Sequence, residues 1–162
     1  MQEKIIINYS MISKNKRAFF DYEIVAEWTV GIVLAGHEVK SIKSGHINLS
    51  DAIVVLQGGE LWVVGLDIPL YTKTSPILVP GYQPKRKRKL LITKRELAKL
   101  ASRLDKPGIT ALALEIFIAR GGFLKIKIGV GKLKRKIEKK QIIKERTIEK
   151  EMRQSIRRGQ LQ

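Results

Sequence analysis

Apolar positions along this chain change their period several times, and each change marks an element. Residues 23–29 alternate, with Ile24, Ala26 and Trp28 on one side, which predicts a strand. Ile32, Ala35, Val39 and Ile42 then recur at helical offsets, so residues 31–43 read as a helix that Gly45 stops. Two strand-like runs, 52–56 and 61–66, enclose Gln57-Gly58-Gly59-Glu60 and predict a hairpin. Residues 67–84 hold Pro69, Pro76, Pro80, Gly81 and Pro84 and read as a loop, because proline cannot donate to a strand ladder. Thr93 and Glu96 have capping-box spacing ahead of a helix with Leu97, Leu100, Ala101 and Leu104 on one face, closed by Lys106-Pro107-Gly108. In ITALALEIFIARGGFLKIKIGV, Leu112, Leu114, Ile116 and Ile118 alternate with Ala113, Glu115 and Phe117. After a turn at Arg120-Gly121-Gly122, Leu124, Ile126, Ile128 and Val130 share one face, and Phe123, Lys125 and Lys127 the other. Residues 15–22 fit a helical turn, and the first ten residues read as a loose leader. The count comes to roughly five or six strands and two helices, which predicts a mainly β, OB-type antiparallel barrel, since closure removes exposed edges.

Charge adds a second part to this picture. Residues 132–162 carry twelve Lys/Arg against four Asp/Glu, with no aromatic residue and no proline. The preceding 131 residues carry twenty against eleven, so the charge is several-fold denser in the tail. The chain therefore divides into a body, 1–131, and a basic tail, 132–162. In the tail, KLKRKIEKK is nearly pure charge, and Ile148, Met152 and Ile156 form a narrow apolar stripe. A lone helix of this kind is marginal in water, so the tail is expected to be disordered when free and to fold on a partner. A net charge of +17 and a pI near 10.2 make nucleic acid the leading partner class.

Other chemistry finds little support. The chain has no cysteine, which excludes disulfides, thiolate metal sites and a cysteine nucleophile, and fits a reducing cytoplasm. Its two histidines, His37 and His46, have no metal-ligand spacing, and Asp51, Asp67 and Asp105 sit at turns. GVGK at 129–132 lacks the first glycine and the Ser/Thr of a phosphate loop. No catalytic residue, metal or cofactor is therefore expected. No apolar run reaches the length of a bilayer span, and the N-terminal apolar run is too short for a secretory signal. The cationic features are the unbroken run from Lys85 to Lys89 and the strand face of Lys125 and Lys127 with Phe123.

Specific blocks go further than composition. Gly31-Ile-Val-Leu-Ala-Gly-His-Glu-Val-Lys-Ser-Ile-Lys-Ser-Gly45, followed by Asn48-Leu-Ser-Asp51, closely resembles the SmpB family, the SsrA (tmRNA)-binding proteins of bacterial trans-translation. Asn15-Lys-Arg-Ala18 with Tyr22 and Ile24, Arg86-Lys-Arg-Lys-Leu-Leu91, Arg95-Glu-Leu97, and Lys125-Ile-Lys-Ile-Gly-Val-Gly-Lys132 with Ile143-Lys-Glu-Arg146 agree in order and spacing. The resemblance implies an OB-type barrel with two or three flanking helices and a flexible C-terminal tail, acting as a cytoplasmic monomer without catalysis of its own. It implies binding to the tRNA-like end of tmRNA, support of its alanylation, and escort to ribosomes stalled without a stop codon. Elongation factor Tu enters indirectly, through alanyl-tmRNA. The tail would become helical in the empty mRNA channel, against 16S rRNA near the A site.

By position, the resemblance implies tmRNA contacts at Asn15, Lys16, Arg17, Glu38, Lys40, Ser41, Arg88, Lys89, Leu91, Lys125 and Lys127, with Glu38 orienting cations. It implies ribosome contacts at Lys132, Lys134, Arg135, Lys136, Ile137, Glu138, Lys139, Lys140, Lys144, Arg146, Ile148, Met152, Arg153, Ile156, Arg157 and Arg158. Departures from the family pattern stand at Thr29, Leu133, Ile137, Glu138, Lys140 and Ile148; Lys140, for one, lacks the bidentate geometry of an arginine. The alternative reading is a structural ribosomal or assembly protein with an OB body and an rRNA-embedded tail. A hydrolytic enzyme lacks a nucleophile or metal site.

Overall fold

A computed structural model describes residues 10–159, with side chains to residue 157. The expected leader falls almost wholly outside these residues, and so does the side chain of Arg158. In chain order the elements are β1 (Ser10–Lys14), α1 (Lys16–Asp21), β2 (Tyr22–Ile32), α2 (Gly36–Lys43), β3 (Ile53–Gln57), β4 (Glu60–Val64), β5 (Arg88–Leu91), α3 (Lys94–Leu104), β6 (Ile109–Ile118), β7 (Leu124–Leu133) and α4 (Lys136–Gly159). All pairings are antiparallel, and they close a ring that runs β2-β5-β4-β3-β6-β7 and back to β2. β1 lies along the remaining edge of β6. The mainly β architecture matches the expectation, with α1, α2 and α3 flanking the barrel.

The ring encloses a core of Val30, Val54, Leu61, Val63, Leu66, Leu90, Ile116, Ile126, Ile128 and their neighbours. Leu100 of α3 and Ile42 of α2 are fully buried in it and plug the barrel from outside the sheet. The Thr93–Glu96 capping box forms as predicted, with the Thr93 hydroxyl accepting from Glu96 N–H.

Three local expectations need correction. Residues 31–35 are not helical: β2 continues to Ile32 and α2 begins at Gly36, because Gly31 and Ile32 pair with Leu91 and Leu90. The apolar offset at Ile32 was a strand residue in phase with a helix by coincidence. Second, the alternation along β2 and β6 does not hold through their lengths. Register shifts between Ile24 and Ala26, and between Ala113 and Glu115, turn Ile24, Leu112 and Leu114 away from the barrel interior. With Ala18, Phe19 and Tyr22 they form a separate cluster beneath α1. Third, β7 runs to Leu133, so Lys132 is a barrel residue opposite Glu23 and Ile109.

The outer cluster explains the glycines of GVGK. A Cβ at Gly129 would sit 2.6 Å from Leu114 Cδ1, and one at Gly131 would sit 2.9 Å from the carbonyl oxygen of Glu23. Only glycine leaves β7 thin enough for the cluster to close over it. Asn15 pins α1 to this place. Its side-chain amide donates to the carbonyls of Leu49 (2.7 Å) and Ala113 (2.9 Å), and its oxygen accepts from Ala18 N–H as the helix N-cap.

α4 is the helix that the sequence reading reserves for the partner-bound state. Its root is tied to the body: Lys134 N–H donates to the Asp21 carbonyl (2.8 Å), Lys134 Nζ donates to the Phe19 carbonyl (3.0 Å), and Lys139 pairs with the Asp21 carboxylate (2.8 Å). Arg146 lies over the Phe20 ring. Farther along, Ile148, Met152 and Ile156 are exposed.

Asn15→Ala removes the cap and takes one donor from each of two buried carbonyls, so it should cost about 1–3 kcal/mol of stability. Urea denaturation compared with the parent chain measures this.

Candidate nucleic-acid interface

The run from Lys85 to Lys89 is uniform in sequence and divided in structure. Lys85 and Lys87 are exposed, Arg86 and Lys89 are half-buried, and Arg88 is fully buried. Strand geometry sends alternate side chains to opposite faces, and Arg88 points into the barrel. There it meets Glu38, itself fully buried on the first turn of α2.

Every N–H of the Arg88 guanidinium finds an acceptor. Nε and Nη2 donate to Glu38 Oε1 at 2.9 and 2.8 Å, Nη1 to the carbonyls of Leu66 and Arg86, and Nη2 also to Pro84 O. Arg86 adds a fork from the other side, with Nε to Oε1 at 2.9 Å and Nη2 to Oε2 at 2.5 Å. Glu38 Oε2 further accepts the Ala35 N–H, which caps α2. The Tyr82 hydroxyl donates to Ile68 O at 2.7 Å, lies 3.1 Å from Glu38, and supports the His37 ring edge-on. Burial pushes the Glu38 carboxyl up, but the hydrogen bonds from Arg86, Ala35 N–H and Arg88 outweigh it and hold the group down at about 2. Burial and the Glu38 charge raise the Tyr82 phenol, and the bond to Glu38 raises Arg86.

Four of the residues expected at the RNA face lie inside the fold, and Glu38 orients cations there as expected. Arg88 and Glu38 spend their charge on each other. Ser41 is buried, with its hydroxyl 2.7 Å from the Pro69 carbonyl, and Asn15 is buried beneath α1. All four side chains are withdrawn from solvent. Glu38, Ser41 and Arg88 lock α2, the 67–87 loop and β5 to one another, and Asn15 fixes α1.

The remaining body residues do reach the surface. Lys16, Lys40 and Lys125 are exposed, as is Leu91. Arg17 is exposed but bound to Asp51 at 2.8 Å. Lys127 lies 3.1 Å from the nearly buried carboxylate of Glu115, so it balances that group as well as facing outward. Gly31 pairs with both Leu91 and Lys125, which puts an apolar and a cationic side chain in one outer row, two strands apart. Bare backbone at Gly31 leaves room there, since a Cβ would come within 3.2 Å of Leu91 Cβ.

The next row holds a residue that the sequence reading passed over. Trp62 pairs with Lys89 on one side and Val55 on the other, facing outward, and Lys87 Nζ lies 4.8 Å from its ring centroid. The signal was available: in LWVV the apolar neighbours Leu61 and Val63 take the inward positions, which leaves tryptophan outside.

In α4, Lys136, Ile137, Lys140, Lys144, Arg146, Arg153 and Arg157 are exposed, and Lys132 and Arg135 are exposed ahead of it. Lys134 and Lys139 are engaged with α1, and Glu138 accepts the Arg135 N–H at 3.1 Å at the start of the helix. These three act first in anchoring the helix. Among the described residues no group of three metal-ligating side chains converges, and no helix is long and apolar enough to cross a membrane.

Comparison with known proteins places this geometry. The family model described as "SmpB protein" matches residues 12–158. An SsrA-binding protein of Coprothermobacter proteolyticus is 43% identical over 143 residues, covering 88% of this chain and 94% of that protein. One from Sulfurihydrogenibium sp. is 36% identical over 157 residues, covering 97% of each. A solved chain from "tmRNA-SmpB: a journey to the center of the bacterial ribosome" superposes with a TM-score of 0.64 at 34% identity, covering 81% of this chain and 93% of that one.

Glu38→Gln should lower stability at neutral pH by roughly 3 kcal/mol, because it leaves buried guanidinium charge uncompensated. The native carboxyl is depressed from 4.5 to about 2, so its contribution is complete above the unfolded value and is lost as pH falls through that interval. Urea midpoints of parent and variant should therefore differ most above pH 4.5 and converge towards pH 2. A constant difference across this range would contradict the assignment.

Proposed function

The chain belongs to the SmpB family, and from that premise we propose that it is a tmRNA-binding ribosome-rescue factor. In this reading the barrel binds the tRNA-like end of tmRNA and supports its alanylation. It escorts alanyl-tmRNA, with elongation factor Tu, to ribosomes whose message has run out. The protein acts as a single copy, and its chemistry is recognition, with no bond made or broken by its own side chains.

The observation that carries the reading is the joining of two cationic surfaces of different kinds in one chain. The first is rigid. Glu38, Arg86 and Arg88 lock the elements that bear Lys40, Lys87, Lys89 and Leu91, so these meet a folded RNA with little ordering cost. The second is a rod, α4, rooted at Lys134 and Lys139 and exposed beyond them. A narrow channel walled by ribosomal RNA suits that rod. Phosphates neutralise Lys140, Lys144, Arg146, Arg153 and Arg157, and the Ile148, Met152 and Ile156 stripe is buried on arrival. Message already in the channel excludes the helix, so its entry reports an empty channel. Free in solution the outer helix has little to hold it, since isolated helices of this kind are marginal; it is therefore disordered in part until it enters the ribosome.

The body and the rod separate in one experiment. A chain ending after Arg135 keeps the whole of β7. It should bind a tRNA-like tmRNA fragment within about threefold of the full chain at matched salt. It should not support tagging of peptides on stalled ribosomes. Normal tagging by the shortened chain would refute the channel role, and loss of fragment binding would refute the assignment of tmRNA recognition to the barrel.

A further inference from the structure

The chain has two tryptophans, and the fold uses them differently. Trp28 packs against the barrel core, whereas Trp62 belongs to neither hydrophobic cluster. It stands half-exposed on the outer face of β4, between Val55 and Lys89. The Lys87 ammonium lies 4.8 Å from its ring centroid, and that amine is also 3.4 Å from Gln57 Oε1. Lys89 pairs with Glu60 at the margin of the same patch. Lys85, exposed just ahead of Lys87, extends the positive charge.

A large indole outside the core, with a mobile cation over its face, matches the chemistry of a nucleobase site. Every base has a π-face, and stacking on an aromatic side chain is favourable whatever the sequence. The ammonium that covers the ring in the free protein has a flexible stem, so it can lift away to the phosphate beside an incoming base. We infer that Trp62 is a stacking platform for one unpaired nucleobase of an RNA, with Lys87 holding the adjoining phosphate. The inference rests on the RNA-binding reading and adds to it a preference for an unpaired base at a defined place. A duplex cannot use the platform, because its bases are already stacked on one another.

The test titrates the full chain with an oligo(A) of about eight nucleotides and, separately, with a blunt RNA duplex of equal length, over a salt series. Oligo(A) should quench tryptophan emission. Trp62→Leu should weaken oligo(A) binding by about tenfold, while Trp62→Phe keeps most of it. Duplex binding should stay within about twofold of the parent for both variants. Lys87→Gln, at an exposed position, should reduce the salt dependence of oligo(A) binding by about one counterion; it carries the test should Trp62→Leu fail to fold, which a thermal melt reveals. Equal oligo(A) affinity for Trp62→Leu and the parent overturns the platform while leaving RNA binding intact. Equal losses on oligo(A) and duplex overturn it too. If the parent binds neither RNA, the RNA-binding reading falls and the platform with it.

Discussion

The buried carboxylate of Glu38 is the point on which the surface depends. Taking the Glu38 carboxylate and the Arg88 guanidinium out of water costs several kcal/mol per ion, and only near-complete pairing offsets it. Arg88 meets that condition with all of its N–H groups donated, and Arg86 closes the other side of the carboxylate. The geometry ties α2 to the carbonyls of Leu66, Ile68 and Pro84, which lie on stretches of chain with no regular structure of their own. A proline-rich loop that would otherwise wander becomes a fixed rim. The lysines that stand on this rim inherit its position.

A second constraint sets where the tail begins. Gly129 and Gly131 thin the outer face of β7, the Ala18, Leu112 and Leu114 cluster fills the space, and α1 sits on top, held by Asn15. α1 then offers Asp21 and the Phe19 carbonyl to the root of α4. The direction in which the cationic rod leaves the body is thus decided by two glycines and an asparagine, none of which carries charge.

The excess of +17 is therefore unevenly available. Arg88, Arg86, Lys139 and Lys127 are committed to internal carboxylates, and Arg17 is held by Asp51. Lys16, Lys40, Lys85, Lys87, Lys125 and most of α4 are left facing solvent. The body presents its positive charge to solvent through these residues, on elements held in place by the ion pairs of Glu38.

The mainly β architecture, the capped α3 and the central hairpins were legible in the residues, because periodicity and turn glycines are local properties. The family blocks were legible for the same reason. Which members of those blocks face solvent was not. KRKRK reads as five equal cations, and only the strand pairing of Arg88 with Val63 turns one of them inward to Glu38, fifty residues away in sequence. Two register shifts, invisible in an alternating pattern, moved Ile24, Leu112 and Leu114 out of the barrel core. The sequence by itself determined which elements exist and how much positive charge they bear. The tertiary structure decided which charges are spent inside, because the free energy of a buried ion depends on partners brought together by the closed sheet.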